Sequence, residues 1–199
     1  MFAHRGSSFL PTGVVVLGLI AGCQGAHPAR TEIDPVRGEG RLLSQNQPAD
    51  IAVAPVQNES TNPEAPVDLL RQALAKTLVD KLYSPLDVGY VDGNWIESSF
   101  RGTPAPDGLL VVSLTRWDTS RLVSVGRVEA SADVFLFEGG STSGRLLWGT
   151  TVKRSIDLGD GRGAPRGPFE TLVPEAIQRF ATDALSLLPV RDPLQAPRG

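Results

Sequence analysis

The sequence predicts an α/β fold of the α+β kind: a mixed β-sheet with a three-strand meander and two main helices packed on it. A short apolar run at residues 51–56 precedes a segment with helical periodicity, residues 109–156 have the composition of strands, and a second helical pattern starts at Pro174. With 199 residues, the chain is long enough for one ordinary core and short for two. We therefore expect a single folded domain at residues 51–189.

The first half of this domain predicts a strand followed by a helix. Residues 51–56 are apolar and partly β-branched, which is typical of a buried strand, and Pro55 places the far end of that strand at an edge or exit. An amphipathic helix packed on the sheet is indicated next. Its apolar positions are Leu70, Ala73, Leu74, Leu78 and Leu82, and its polar face comprises Arg71, Lys76, Asp80 and Lys81. Residues 88–91 are predicted to form a second short strand.

The second half predicts the meander and the last helix. Residues 109–117 form the first strand, and residues 121–137 form a long second strand with a bulge or bend at Gly126. One face of this second strand is polar, because Arg127, Glu129, Ser131 and Asp133 alternate with apolar residues. A glycine-rich turn at residues 139–144 leads to the third strand at residues 146–156. The last helix is predicted from Pro174 to Pro189.

The N-terminal 22 residues are typical of a signal peptide. They contain His4 and Arg5 but no acidic residue, and their apolar run is too short to span a bilayer as a helix. The end of this segment, Ile20-Ala21-Gly22-Cys23, resembles the lipobox of bacterial lipoproteins. The resemblance implies cleavage between Gly22 and Cys23 and attachment of lipid to Cys23. An ordinary signal peptide with a chance cysteine is the alternative.

The residues that follow Cys23 predict a tether. Residues 23–50 are polar, contain three prolines and show no periodic apolar face. A flexible chain of this length has a root-mean-square span of about 30 Å. Residues 190–199, with two prolines and three charges, are predicted to form a loose tail.

The charge of the chain argues against two classes of partner. Removal of residues 1–22 leaves 18 basic and 22 acidic side chains, a net charge of −4. Nucleic-acid binding requires a clustered basic footprint, so we expect no nucleic-acid partner. Charge alone also provides no adhesion to an anionic membrane surface.

The predicted domain lacks the residues of several common catalytic centres. The two histidines, His4 and His27, and the single cysteine, Cys23, all precede residue 51. Triads of serine, histidine and aspartate, cysteine–histidine pairs and histidine-based metal centres are therefore excluded there. We expect no catalytic residue, no metal and no cofactor. A carboxylate-based hydrolase using Glu129, Asp133 or Glu138 with Asp92 or Glu97 is the least favoured alternative.

Two tryptophans are candidate partner-binding residues. Trp117 and Trp148 lie at the ends of predicted strands, where a large aromatic side chain serves either as an interface anchor or as part of the core. The sequence leaves both alternatives open.

The middle of the chain resembles a known family of envelope lipoproteins. Residues 51–58 resemble the opening strand of the domain shared by the TolB amino-terminal region, the curli secretion lipoprotein and the penicillin-binding-protein activator lipoproteins. Residues 114–117, 128–137 and 142–148 resemble the meander of those proteins, and the nearest likeness is to neisserial-type lipoproteins of unknown function. In the family the turn usually follows an Asp, whereas residues 138–141 intervene here. The resemblance covers roughly residues 50–188.

This resemblance implies a protein-binding role in the cell envelope and no catalytic residues. We expect a membrane-anchored adaptor or accessory lipoprotein that binds another envelope protein, and the alternative is a subunit of an oligomeric outer-membrane secretion or transport complex. A homo-oligomer is compatible with both. Gln24, in place of Asp after the lipidated cysteine, favours the outer membrane facing the periplasm over the inner membrane.

Replacement of Cys23 tests the anchor. We expect Cys23→Ser to give a protein that is not labelled by a fatty-acid probe and is not retained in membrane fractions, because the thiol is the nucleophile that accepts the lipid. Absence of lipid from Cys23 in the wild-type protein would contradict this interpretation of the N-terminus.

Overall fold

A computed structural model of the chain describes residues 32–33, 43, 47–160, 164–165 and 167–194. The strands, in chain order, are β1 (Glu32–Ile33), β2 (Asp50–Val53), β3 (Gln57–Asn58), β4 (Ser84–Pro85), β5 (Trp95–Ile96), β6 (Ser99–Phe100), β7 (Gly108–Asp118), β8 (Arg127–Glu138) and β9 (Leu146–Asp157). The helices are α1 (Val67–Asp80), α2 (Val88–Gly93), α3 (Leu122–Val125) and α4 (Phe169–Ala184).

These elements form the predicted mixed α/β architecture. The main sheet has the order β1-β9-β8-β7-β2-β4, and β3 also pairs with β7. Neighbouring strands are antiparallel from β7 through β8 and β9 to β1, whereas β2 and β3 run parallel to β7 and β4 runs parallel to β2. Strands β5 and β6 form a separate hairpin.

The three-strand meander is confirmed. Strand β7 pairs with β8 along its whole length, and β8 pairs with β9 from Arg127 to Phe137. The turn between β8 and β9 needs glycine at one position in particular. A Cβ on Gly144 would lie 2.1 Å from the carbonyl oxygen of Glu138, so no other residue fits there without movement of the backbone.

The predicted first strand is interrupted at its proline. Val53 pairs with Leu110, pairing resumes where Gln57 faces Ser113, and the register changes by one residue between the two pairs. Pro55 lies in the gap, and its nitrogen has no hydrogen to donate to the ladder. The segment therefore forms β2 and β3 rather than one continuous strand.

Both long helices cover one face of the sheet. Helix α1 packs against α4, and the apolar sides of both helices join the inward residues of the meander in one core. The largest fully buried side chains are Trp148, Phe180, Leu43, Ile51, Leu70, Leu74, Leu78, Leu109, Leu110, Leu114, Leu122 and Leu136.

Arg71 corrects the predicted polar face of the first helix. Its side chain is buried, and Nε and Nη2 donate to the carbonyl oxygen of Val53 at 3.0 and 2.8 Å. Nη1 donates to a carboxylate oxygen of Asp92 at 2.5 Å. The guanidinium is buried because it satisfies a strand carbonyl at the point where β2 ends.

The predicted strand at residues 88–91 is wrong, because this segment is helix α2. The Asp87 carboxylate accepts a hydrogen bond from the backbone N–H of Tyr90 at 2.9 Å and caps the first turn. Val91 is then buried in a second, smaller cluster on the opposite face of the sheet. Its buried members are Ala52, Ala54, Val91, Phe100 and Leu109.

The predicted long strand at residues 121–137 begins later than expected. Leu122–Val125 form a single helical turn, α3, which ends at Gly126 in the left-handed conformation with φ of 68°. Gly126 therefore caps a helix and is not a bulge. Its backbone N–H donates to the carbonyl oxygen of Leu122, and β8 starts at the next residue.

The last helix begins earlier than predicted. Helix α4 starts at Phe169, so Pro174 lies inside it rather than at its first position. The Pro174 nitrogen has no hydrogen to donate to the preceding turn. The turn before it is held in the core by Leu172, which is buried.

The chain ends of the domain differ from the predicted tether and loose tail. Glu32–Ile33 pair with β9, and Leu43 is part of the main core, so these described residues belong to the domain rather than to a tether. In the predicted tail, the N–H of Arg191 donates to the carbonyl oxygen of Lys81 at 2.9 Å, and the N–H of Asp192 donates to Oε1 of Gln47 at 2.8 Å.

The side chains of Lys81 and Tyr83 also fasten the C-terminal segment. Lys81 Nζ donates to the carbonyl oxygen of Leu188 at 2.6 Å, and the Tyr83 hydroxyl donates to that of Pro189 at 3.0 Å. Burial lowers the pKa of Lys81 and raises the pKa of Tyr83 to about 12, although the positive charge of Arg191 opposes the second shift.

The predicted signal peptide, Gly22 and Cys23 lie outside the described residues. In the part of the chain that the structure describes, every helix is too short or too polar to cross a membrane.

Two glycines with similar backbone conformations provide a matched test of the α3 cap. Gly126 and Gly139 have φ of 68° and 72°, but a Cβ on Gly126 would lie 2.8 Å from the backbone nitrogen of Gly159, whereas a Cβ on Gly139 would meet nothing within 4 Å. We expect Gly139→Ala to lower the free energy of unfolding by about 1–2 kcal/mol through backbone strain alone. Gly126→Ala should cost clearly more. Urea unfolding of both variants measures the difference, and equal losses would contradict the close approach at Gly126.

Candidate functional site

The polar face of the meander is the first candidate surface. We call it the open face, because in the described part of the chain α2 and the β5–β6 hairpin cover only one end of it. It comprises Ser113, Thr115, Glu129, Ser131, Asp133, Phe135, Thr151, Lys153 and Ser155. Most of these side chains are half-buried, and Lys153 is exposed. The prediction that β8 has one polar face is thus confirmed.

Hydroxyl groups across the strands hold both carboxylates of the open face. Ser155 donates to Oε1 of Glu129 at 2.7 Å, and the Thr151 hydroxyl donates to Oδ1 of Asp133. Each pair joins residues that stand directly opposite each other on β8 and β9. Such cross-strand pairs stabilise a sheet, so their presence alone indicates no chemistry.

The carboxylates considered for acid–base catalysis are not brought together. Glu129 and Asp133 are four residues apart on one strand, which corresponds to about 13 Å, whereas paired carboxylates in glycoside hydrolysis are about 5–9.5 Å apart. Asp92 forms an ion pair with Arg71. Glu138 forms another with Arg145, at an N–O distance of 3.1 Å. Among the described residues, no group of three histidine, cysteine or acidic side chains has the arrangement of a metal site.

A second candidate surface is a groove between β9 and α4 with a volume of about 380 Å³. Ile156 forms its apolar floor, and Arg154 on β9 pairs with Asp183 on α4 at 2.7 Å. Arg179 donates to the carbonyl oxygen of Asp157 at 2.8 Å. The groove therefore runs along the edge of the sheet and has its charged groups already paired.

A third, more open groove of about 720 Å³ lies where β7 ends. Asp118 lines it, and hydrogen bonds from the side chain and backbone of Ser120, together with Arg116, lower the pKa of this carboxyl group. A carboxyl group with a lowered pKa is ionised at neutral pH, which makes it a poor proton donor. Among the described residues that line this groove, Asp118 is the single acidic side chain, so no second carboxyl group is present to act as a general acid.

The side chains of both tryptophans lie in the core. Trp117 is 4% exposed and Trp148 is 1% exposed, and both belong to the main apolar cluster. Nε1 of Trp148 is buried without a hydrogen-bond partner. Trp148 is enclosed in the core, whereas Trp117, although almost fully buried, also lines the third groove. A partner-binding role for either tryptophan stays a prediction. The sequence pattern missed the groove beside β9, which depends on how α4 packs.

The fold and its surfaces define a mixed α/β domain with both long helices on one face of the sheet and, on the other, a polar face that α2 and the β5–β6 hairpin cover only at one end. Comparison with protein-family models finds no match, and comparison with curated protein sequences also finds none. Solved structures do match. A variant of the PelC dodecamer from Paraburkholderia phytofirmans has a TM-score of 0.51 and 14% identity, with 81% of this chain and 99% of that chain covered.

Two further structures have lower scores. A second PelC dodecamer structure from the same organism has a TM-score of 0.47 and 15% identity. The match covers 82% of this chain and 99% of the PelC chain. Lipoprotein GNA1162 from Neisseria meningitidis has a TM-score of 0.43 and 20% identity. The match covers 67% of this chain and 97% of the GNA1162 chain. At these identities the likeness to the first PelC structure shows a shared fold and nothing further.

Substitutions on the two sides of the sheet should have different effects. We expect Trp117→Ala and Trp148→Ala each to lower the free energy of unfolding by about 3–5 kcal/mol, because each leaves a large cavity in the core. Glu129→Gln and Asp133→Asn keep an acceptor for the opposing hydroxyl and should cost less than about 1 kcal/mol. Chemical denaturation measures all four variants. A stable Trp148→Ala protein would contradict the placement of that side chain in the core.

Proposed function

We propose that this chain is a lipid-anchored, non-catalytic adaptor of the cell envelope that binds another envelope protein. Lipid on Cys23 holds it on a membrane, with the outer membrane facing the periplasm favoured by Gln24. The domain then provides a binding surface within reach of that membrane.

The lipobox-like end of the signal segment is the observation on which this proposal depends. The cysteine of Ile20-Ala21-Gly22-Cys23 is the single cysteine of the chain and directly follows a short apolar run without acidic residues. A lone cysteine at that position is explained by lipid attachment better than by disulfide chemistry, which needs a second cysteine.

The open face supports the binding role. It combines carboxylates held by Ser155 and Thr151 with the half-buried ring of Phe135 and the exposed amino group of Lys153. Polar groups that are already positioned lose little entropy when a protein partner adds further hydrogen bonds. The separation of Glu129 from Asp133 gives the hydrolase alternative no support.

Site-specific photocrosslinking in the native envelope tests the adaptor. A photoreactive residue at Thr115, on the open face, should yield an adduct with an envelope protein identified by mass spectrometry. The same residue at Gln72, on the exposed side of α1, is the matched control and should yield none. Adducts that are equal at both positions, or absent from Thr115, would contradict binding through the open face.

A subunit of an oligomeric complex is the second candidate. The structure with a TM-score of 0.51 is a PelC dodecamer, which is the specific observation that favours it. Native mass spectrometry of the detergent-extracted, lipidated protein tests this candidate, because a ring of identical subunits gives a defined multiple of the chain mass. The monomer mass alone would contradict it.

A further inference from the structure

We propose that two copies of this chain form a two-fold dimer through an apolar patch where α1 and α4 end. We call it the helix-end patch, and it comprises four exposed aliphatic side chains: Val79, Leu82, Leu187 and Val190. This dimer depends neither on the lipid anchor nor on the adaptor function, because every residue of the patch belongs to the folded domain.

Hydrogen bonds between the end of α1 and the segment after α4 bring the two parts of the patch together. The backbone N–H of Arg191 donates to the carbonyl oxygen of Lys81 at 2.9 Å, and Lys81 Nζ donates to that of Leu188 at 2.6 Å. Leu82 and Val190 are the neighbours in sequence of the two residues in the first bond. They therefore lie on adjoining segments of the surface.

The helix-end patch concentrates exposed apolar surface. In the described part of the chain, nine large apolar side chains are exposed, and four of them belong to this patch, with exposed fractions from 42% to 57%. The remaining five are distributed over other parts of the domain. Adjoining apolar side chains on the surface of a folded domain are typical of an interaction site, whereas single ones need no explanation.

The backbone of Leu82 gives a second, independent indication of an interface. Its φ is 66°, in the left-handed region. The N–H of Leu82 donates to the Val79 carbonyl at 2.9 Å and that of Tyr83 to the Leu78 carbonyl at 3.0 Å, which is the Schellman motif that ends a helix. Glycine is the usual residue at this position, because a side chain strains the backbone there. A strained leucine whose side chain is half-exposed is explained if that side chain binds another surface.

The charges beside the patch favour a second copy of the chain as its occupant. Asp80 is exposed, and Arg191 is half-buried with its Nε buried and without a hydrogen-bond partner. Among the described residues, neither side chain belongs to an ion pair. Opposite charges at one patch are self-complementary, because a two-fold axis through the patch places Asp80 of each copy opposite Arg191 of the other.

A contact of this kind closes at two copies. An isologous contact uses the same patch on both subunits and leaves none free, whereas a ring joins two different patches. The open face lies on the side of the sheet away from α1 and α4, so the contact does not cover it. Each dimer would therefore present two open faces to partners.

Sedimentation equilibrium of the full chain tests the dimer. Cys23→Ser removes the predicted lipid, so the protein is studied without detergent, which would cover the patch. We expect the mass to rise to that of two chains as the concentration increases. A single-chain mass throughout overturns the dimer, and binding of that monomer to phosphatidylethanolamine–phosphatidylglycerol vesicles would assign the patch to a membrane instead. A mass above two chains overturns the two-fold contact.

Leu82→Gly separates binding from folding. Glycine suits the backbone at position 82, so the free energy of unfolding of the monomer should not fall, whereas loss of the side chain should raise the dissociation constant of the dimer about tenfold. Val190→Ser should act in the same direction. The matched control is Val123→Ser, because Val123 is 70% exposed but lies on α3, and it should leave the constant unchanged. Equal effects at positions 82 and 123 would overturn the patch as the interface.

A charge exchange tests the two-fold axis. Asp80→Lys places like charges opposite each other and should weaken the dimer, and adding Arg191→Glu restores opposite signs and should recover it. The circular dichroism of both variants verifies that they are folded. If the folded double variant dissociates as readily as Asp80→Lys alone, Asp80 does not face Arg191 of the second copy and the proposed axis is wrong.

Discussion

Backbone pairing on both edges of β7 is the constraint on which the rest of the domain depends. On one edge β7 pairs with β8 and starts the antiparallel meander, and on the other it pairs in parallel with β2 and β3. Since β7 joins these two halves, its inward residues, such as Leu110 and Leu114, contact the core shared by both long helices. Arg71 completes this arrangement, because it satisfies the Val53 carbonyl at the gap beside β7.

The sequence predicted the parts of the fold that depend on long periodic segments. The three meander strands and the two long helices have enough residues for their period to be unambiguous. The errors fall where a single interaction decides between structures. Residues 88–91 are as apolar as a strand but become helical through the Asp87 cap, and Gly126 ends a turn that looks like part of β8.

The candidate site was partly predictable for the same reason. Alternation along β8 was sufficient to identify a polar sheet face at Glu129 and Asp133, because that information is local. The burial of Arg71 and the groove beside β9 depend on which helix crosses which strand, and no local pattern contains this information. Trp117 and Trp148 were ambiguous for a related reason: an anchor and a core residue have the same chemistry and differ only in what packs around them.

The hydrogen bond between the Asp192 N–H and Gln47 places the last described residues at one end of the sheet. Gln47 lines a small cavity with Gly139 at the end of the sheet opposite Asp157, and the last described residues lie beside it. Residues 192–194 thus lie at the end of the sheet farthest from Asp157, roughly the length of a twelve-residue strand away. A fluorescent label at Leu194, whose side chain is 91% exposed, would therefore report from that distal end and leave the groove beside β9 free.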